Sequence, residues 1–125
     1  HNPLFAAGIK EQVGAVDLLF IDGDHRYEGV KQDFETFMPI VRPGGYIAFH
    51  DICDSDWVRM MDCHVARFWN EIKHQHTYRE FIDNNEYPCA PANSMGIGVL
   101  KVAATKCRSG WPAQATFMWT ATSPV

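Results

Sequence analysis

Two short polar stretches hold the residues best suited to chemistry, Asp22-Gly23-Asp24-His25 and His50-Asp51. Each follows an apolar run, Val16-Asp17-Leu18-Leu19-Phe20-Ile21 in one case and Tyr46-Ile47-Ala48-Phe49 in the other. Runs this short, apolar on both faces, predict buried parallel strands. Carboxylates gathered at strand ends repel one another unless a proton, a Lys or Arg, or a divalent cation offsets the charge. Oxygen ligands suit Mg²⁺, Ca²⁺ or Mn²⁺, and an added imidazole shifts the choice toward Mn²⁺, Fe²⁺ or Zn²⁺. These residue types define a mononuclear metal site of Asp22 and Asp51, with His50 as a third ligand or as a general base. The competing reading is structural: Asp22 and Asp24 end a strand and cap the next helix, and His50 is a turn residue. The residues alone leave both open.

The elements that must position these groups are legible in the hydrophobic period. Tyr27, Val30, Phe34, Phe37 and Val41 recur at spacings of three and four, one face of an amphipathic helix that Pro39 loosens near Met38. Arg42-Pro43-Gly44-Gly45 reads as a turn. Strand, helix, turn, strand is a right-handed βαβ unit, so both strands end on one edge of a sheet, ~4.8 Å apart if adjacent. That edge is where ligands bind in open α/β sheets. Val58, Met61, Val65, Phe68 and Ile72 predict a second helix, capped by Ser55 or Asp56. Tyr78 to Asp83 and Gly96 to Val102 read as strands able to pair as an antiparallel hairpin with a long connection. His64, His74 and His76 fall on or near the second helix and are expected to face solvent.

Composition bounds the rest. The 125 residues are 46% hydrophobic and 21% charged, with a formal net charge of −4, which fits one modest globular domain. That balance argues against nucleic acid or an anionic membrane surface as partner. No apolar stretch approaches the ~20 residues of a transmembrane helix. Cys53, Cys63, Cys89 and Cys107 form no Cys-x-x-Cys pair and read as reduced thiols of a cytoplasmic protein. The opening His1-Asn2-Pro3-Leu4-Phe5 reads as an interior start. After Arg108 all charge disappears, so residues 1–102 are expected to form the domain and 103–125 a tail of uncertain structure carrying Trp111 and Trp119.

The stretch from Asp17 to Ile52, with IDGDH-x-Y-x-x-V-x-x-D followed by RPGG-x-I-x-x-HD, strongly resembles the second half of class I S-adenosylmethionine-dependent methyltransferases. It looks closest to macrocin O-methyltransferase-like and cephalosporin-hydroxylase-like proteins. The resemblance covers roughly residues 12 to 102. It implies an α/β fold: the C-terminal half of a Rossmann-like methyltransferase sheet, two parallel strands with helices plus an antiparallel closing hairpin. It implies methyl transfer to a small-molecule or sugar hydroxyl, S-adenosylmethionine as cofactor, and Mg²⁺ or another divalent cation in the metal-dependent relatives. Their ligand positions fall on Asp22, His50 and Asp51. Those relatives usually carry a carboxylate where His50 stands; without a metal, His50 or His25 would deprotonate the substrate. Asp24 matches a cofactor-contacting position.

The Gly-rich cofactor loop and the acidic ribose contact of that fold do not occur in this sequence, so the expectation is a fragment. The Val16 to Ile21 strand would then lack a partner on one side, an unpaired edge that invites homo-oligomerisation or partial unfolding. Two alternatives stand beside this reading. Asp22-Gly23-Asp24 resembles the Asp-x-Asp of metal-dependent glycosyltransferases, and the chain could be an inactive truncated domain that binds the cofactor no tighter than about 100 μM, roughly −5.5 kcal/mol.

Overall fold

The computed structural model describes residues 3–85, 93–104 and 117–120. In chain order they form α1 (Pro3–Val13), β1 (Val16–Ile21), α2 (Tyr27–Phe37), β2 (Val41–His50), α3 (Asp56–Met60), α4 (Val65–Ile72), β3 (Thr77–Ile82), β4 (Gly96–Lys101) and β5 (Phe117–Thr120). The strands make one mixed sheet in the order β3-β4-β2-β1-β5. The βαβ expectation holds: β1 and β2 are parallel neighbours, with Ile21 opposite Phe49. The hairpin expectation holds too, since β3 and β4 pair antiparallel and β4 lies antiparallel against β2.

Aromatic packing on one face of the sheet fixes where the helices sit. Val30, Phe34 and Phe37 are the buried stripe of α2. Phe34 lies 5.8 Å from Phe49 of β2 and 5.5 Å from Phe68 of α4, ring centre to ring centre. Trp69 is fully buried, 5.6 Å from Phe49. Its ring lies directly over Gly98 of β4, where an added Cβ would come within 2.6 Å of it. Each fully buried side chain of this size contributes about 1.5–3 kcal/mol. As expected, α2 loosens at Pro39, into a 3-10 turn over Met38–Ile40.

Three expectations are corrected. The apolar period from Val58 to Ile72 spans two helices, not one. The chain breaks at Met61–His64, where Asp62 takes a left-handed φ of 56° and Met61 is 65% exposed. Ser55 caps the first of the two, its Oγ accepting the Val58 N–H at 3.2 Å. Arg42–Gly45 is not a free turn but a bulge inside β2: the register passes from Val16 opposite Val41 to Leu18 opposite Tyr46, with Gly44 at φ 79°. The β1 edge is not open. β5 pairs with it in parallel, Leu18 to Phe117 through Ile21 to Thr120. The premise for association through that edge is thereby removed. Residues 117–120, inside the stretch expected as a tail of uncertain structure, thus pair in the sheet. Trp111, Cys89 and Cys107 lie outside the described residues. Cys53 and Cys63 are buried free thiols.

Candidate functional site

The rim at the C-terminal ends of β1 and β2 gathers four side chains. Because Ile21 and Phe49 are register partners, the next residues, Asp22 just past β1 and His50 at the end of β2, meet at one rim. Asp51 then turns the chain off the strand through a left-handed φ of 59°, a conformation that costs a non-glycine residue of order 1–3 kcal/mol and collects at functional positions. His25 returns over the rim from the β1–α2 loop. Two contacts hold that loop. Asp24 Oδ1 accepts the Arg26 backbone N–H at 3.0 Å, and the His25 carbonyl accepts the His64 N–H at 2.8 Å.

Carboxylates and imidazoles alternate around the resulting ring. His25 Nε2 lies 3.4 Å from Asp22 Oδ1 and 3.0 Å from Asp51 Oδ2. His50 Nδ1 lies 3.3 Å from Asp22 Oδ1 and 3.2 Å from Asp51 Oδ1. Those last two contacts are near enough for charge pairing but are not aligned as hydrogen bonds, and Nδ1 is a buried atom with no hydrogen-bond partner. The Asp51 carboxylate is the main reason the His50 pKa is raised above the ordinary imidazole value. Burial opposes the rise and Asp22 adds to it. An imidazole held this way is a stronger base than one in water, and its cationic form is stabilised where it stands.

The groups whose donor atoms converge are Asp22 and His50, both expected as ligands, and His25, expected only as a base; Asp51, expected as a ligand, lies beside both imidazoles but outside that group. Asp24 is not part of it either. Both oxygens of Asp24 are taken by Arg26, Nε to Oδ1 at 2.9 Å and a second guanidinium nitrogen to Oδ2. This pairing holds the Asp24 carboxyl below its usual range. The Asp22–Asp24 convergence that the glycosyltransferase alternative requires is not formed. Asp24 also packs on Gly29 of α2, where a Cβ would fall 2.3 Å from its Cγ. Arg26 and Gly29 went unnoticed in the sequence; the Asp-x-Arg spacing and a glycine inside a helical period were their signals. Outside the ring, His64 pairs with Asp62 and His74 sets its ring edge against Tyr78, 5.6 Å between centres.

The groups implied by the resemblance can be tested against these residues. S-adenosylmethionine carries a sulfonium charge, and a rim with two carboxylates complements it. Mg²⁺ fits less well. It takes oxygen ligands and keeps several waters, whereas half of the ring's donors are imidazole nitrogens.

Comparison with known proteins falls on the same segment. Residues 3–52 match a family model described as a methyltransferase domain. An uncharacterised protein of Acanthamoeba polyphaga mimivirus is 50% identical over 42 residues, which are 34% of this chain and 19% of that protein. An uncharacterised protein of Sinorhizobium fredii (strain NBRC 101917 / NGR234) is 40% identical over 58 residues, 46% of this chain and 6% of that protein. The chain thus spans a fifth or less of these curated relatives. Among solved structures, M1.HpyAVI has a TM-score of 0.46 at 12% identity, covering 98% of this chain and 65% of that one. Its complex with SAM has a TM-score of 0.47 at 13% identity, covering 100% and 63%. The segment similar to a methyltransferase domain is the one running from α1 through β2 to the rim, and it carries Asp22, His25, His50 and Asp51.

Proposed function

We propose that this chain supplies the proton-removing rim of an S-adenosylmethionine-dependent methyltransferase acting on a hydroxyl of a small molecule or sugar. The observation that carries the reading is His50 Nδ1, a buried nitrogen without a hydrogen-bond partner, set between two carboxylates inside the segment that matches a methyltransferase domain. Bound S-adenosylmethionine supplies an electrophilic methyl group. As an acceptor hydroxyl took up that methyl, its proton would pass to the His50 imidazole. Asp22 and Asp51 stabilise the imidazolium that results. His25 shares both carboxylates and is the second base on the rim. Little else is asked of the protein: orientation of the two reactants and removal of one proton carry most of this chemistry.

Two measurements test this. S-adenosylhomocysteine titrated into the chain should move the ring NMR signals of His25 and His50 while leaving His74 in place, a readout that detects weak binding. Methyl transfer to a panel of phenol, catechol and monosaccharide acceptors should fall about 10²–10⁴-fold in His50→Asn. Unmoved His25 and His50 signals at saturating ligand, or full activity in His50→Asn, would refute the assignment.

A further inference from the structure

We infer that the outer edge of β3 is a docking surface for a second copy of this chain, the two β3 strands pairing antiparallel about a two-fold axis at Glu80. This surface is remote from the β1 edge, which β5 closes, and the inference does not depend on methyl transfer.

The edge is open and unguarded. β3 is the last strand of the sheet order and is exposed along its whole length. It pairs with β4 in unbroken register from Thr77 to Ile82, with no bulge, proline or lysine, the devices that ordinarily blunt an edge. It carries three exposed apolar side chains, Tyr78 at 36%, Phe81 at 58% and Ile82 at 44%.

The ladder shows which backbone groups face outward. The Val102 N–H donates to the Gly45 carbonyl at 2.9 Å, and the Val102 carbonyl accepts the Gly44 N–H at 3.0 Å. The Gly96 carbonyl accepts the Ile52 N–H. Successive residues of an antiparallel strand aim their backbone groups to opposite sides. Val102, Leu100, Gly98 and Gly96 therefore bond toward β2, and Lys101, Val99 and Ile97 toward β3. Their register partners Thr77, Arg79 and Phe81 bond back. Tyr78, Glu80 and Ile82 are left with N–H and C=O aimed at the open edge.

A second copy satisfies these groups. With Glu80 on the axis, Tyr78 of each copy lies opposite Ile82 of the other, and every outward N–H and C=O from Tyr78 to Ile82 finds a partner. Tyr78 against Ile82 is an aromatic–β-branched cross-strand pair. On the opposite face of the sheet, Arg79 lies opposite the second copy's Phe81, a cation over a ring, and diagonal to its Asp83, within reach of a long side chain. The axis brings two Glu80 carboxylates together, but each is held by its own Trp69 N–H at 2.6 Å and Lys73 ammonium at 2.9 Å, so the like charges are offset. A contact one strand long is small against the ~800 Å² per partner of a standard interface. The dimer should therefore form reversibly, with a Kd between about 1 μM and 1 mM.

Sedimentation velocity on the full, untagged chain over that range tests this. The expected result is a mass rising from 14.2 kDa toward twice that value. Phe81→Lys and Ile82→Lys should each weaken association more than tenfold, and Arg79→Glu should weaken it by setting two acids on a diagonal. Met60→Lys, at a site 80% exposed on α3, should leave it unchanged. Should a variant fail to fold, amide hydrogen exchange in the unmodified chain gives an independent answer: protection should rise with concentration at Tyr78, Glu80 and Ile82 and stay constant at Thr77, Arg79 and Phe81. A chain that stays monomeric to about 1 mM, a dimer indifferent to Phe81→Lys, or exchange at Tyr78, Glu80 and Ile82 that ignores concentration would overturn the inference. The first of these outcomes would leave the edge to a different polypeptide.

Discussion

Gly98→Ala isolates one steric contact whose sign can be worked out beforehand. Gly98 lies within β4 opposite Phe49, and its backbone is outside the left-handed region. On conformational grounds alone, alanine should stabilise the fold by about 0.4–1 kcal/mol, because the unfolded chain loses freedom. The surroundings reverse this. The new Cβ would lie 2.6–2.7 Å from three carbons of the Trp69 indole, where ordinary contact is 3.4–4 Å. The ring must retreat by nearly 1 Å, yet it is fully buried against Phe49 and Tyr78. Retreat also strains the 2.6 Å bond from Trp69 Nε1 to Glu80. Overpacking of this kind costs about 1–3 kcal/mol, and a weakened bond to a carboxylate adds to it. The net expectation is a loss of about 1–3 kcal/mol, or roughly 4–12 °C in Tm at about 4 °C per kcal/mol. Thermal unfolding followed by circular dichroism reads it. Gly8→Ala is the control, since a Cβ there meets nothing within 4 Å and the site is helical; it should gain about 0.5–1 kcal/mol. If Gly98→Ala keeps or raises the Tm, the packing argument is wrong.

Further expectations concern charge and backbone. Glu80 has its pKa lowered, chiefly by the Trp69 N–H and then by Lys73. Its contribution is therefore present above the unfolded-state value and lost as pH falls through the lower folded value; urea midpoints between pH 3 and 6, about a unit and a half either side of the ordinary carboxylate pKa, should fall on acidification and do so less steeply in Glu80→Gln. Asp33 has the opposite shift: burial, and then Asp24, raise its pKa, and its Oδ2 is buried without a partner. Asp33→Asn should raise the Tm at neutral pH, with the gain disappearing as pH drops below the range where Asp33 ionises. Asp51→Gly removes a carboxylate from a crowded rim and a left-handed strain together. Its Tm should hold or rise by up to about 1–2 kcal/mol equivalent, while methyl transfer falls; a destabilised variant would show that Asp51 is structural.

The rim was legible because two short apolar runs and a helical period between them leave little topological choice. A right-handed parallel crossover brings Asp22 and His50 to one edge. What escaped depends on the third dimension. An apolar period reports burial and not continuity, so Val58 through Ile72 read as one helix although the chain turns at Asp62. β5 escaped because Phe117–Thr120 is short, sits among Ala, Thr, Ser and Pro, and finds its partner in β1 far back along the chain. His25 was visible as an imidazole near acids, but its reach to Asp51 comes from the turn set by Asp24 and Arg26 and closed over Gly29.

That late pairing also orders the folding of the nascent chain. β2 can dock on β1 soon after synthesis, but Leu18 must wait for Phe117 before its other side is hydrogen-bonded. Contacts so distant in sequence slow folding and prolong the time an apolar strand is exposed. During translation the interval between ribosomal emergence of β2 and of β5 is therefore when this polypeptide most needs a chaperone.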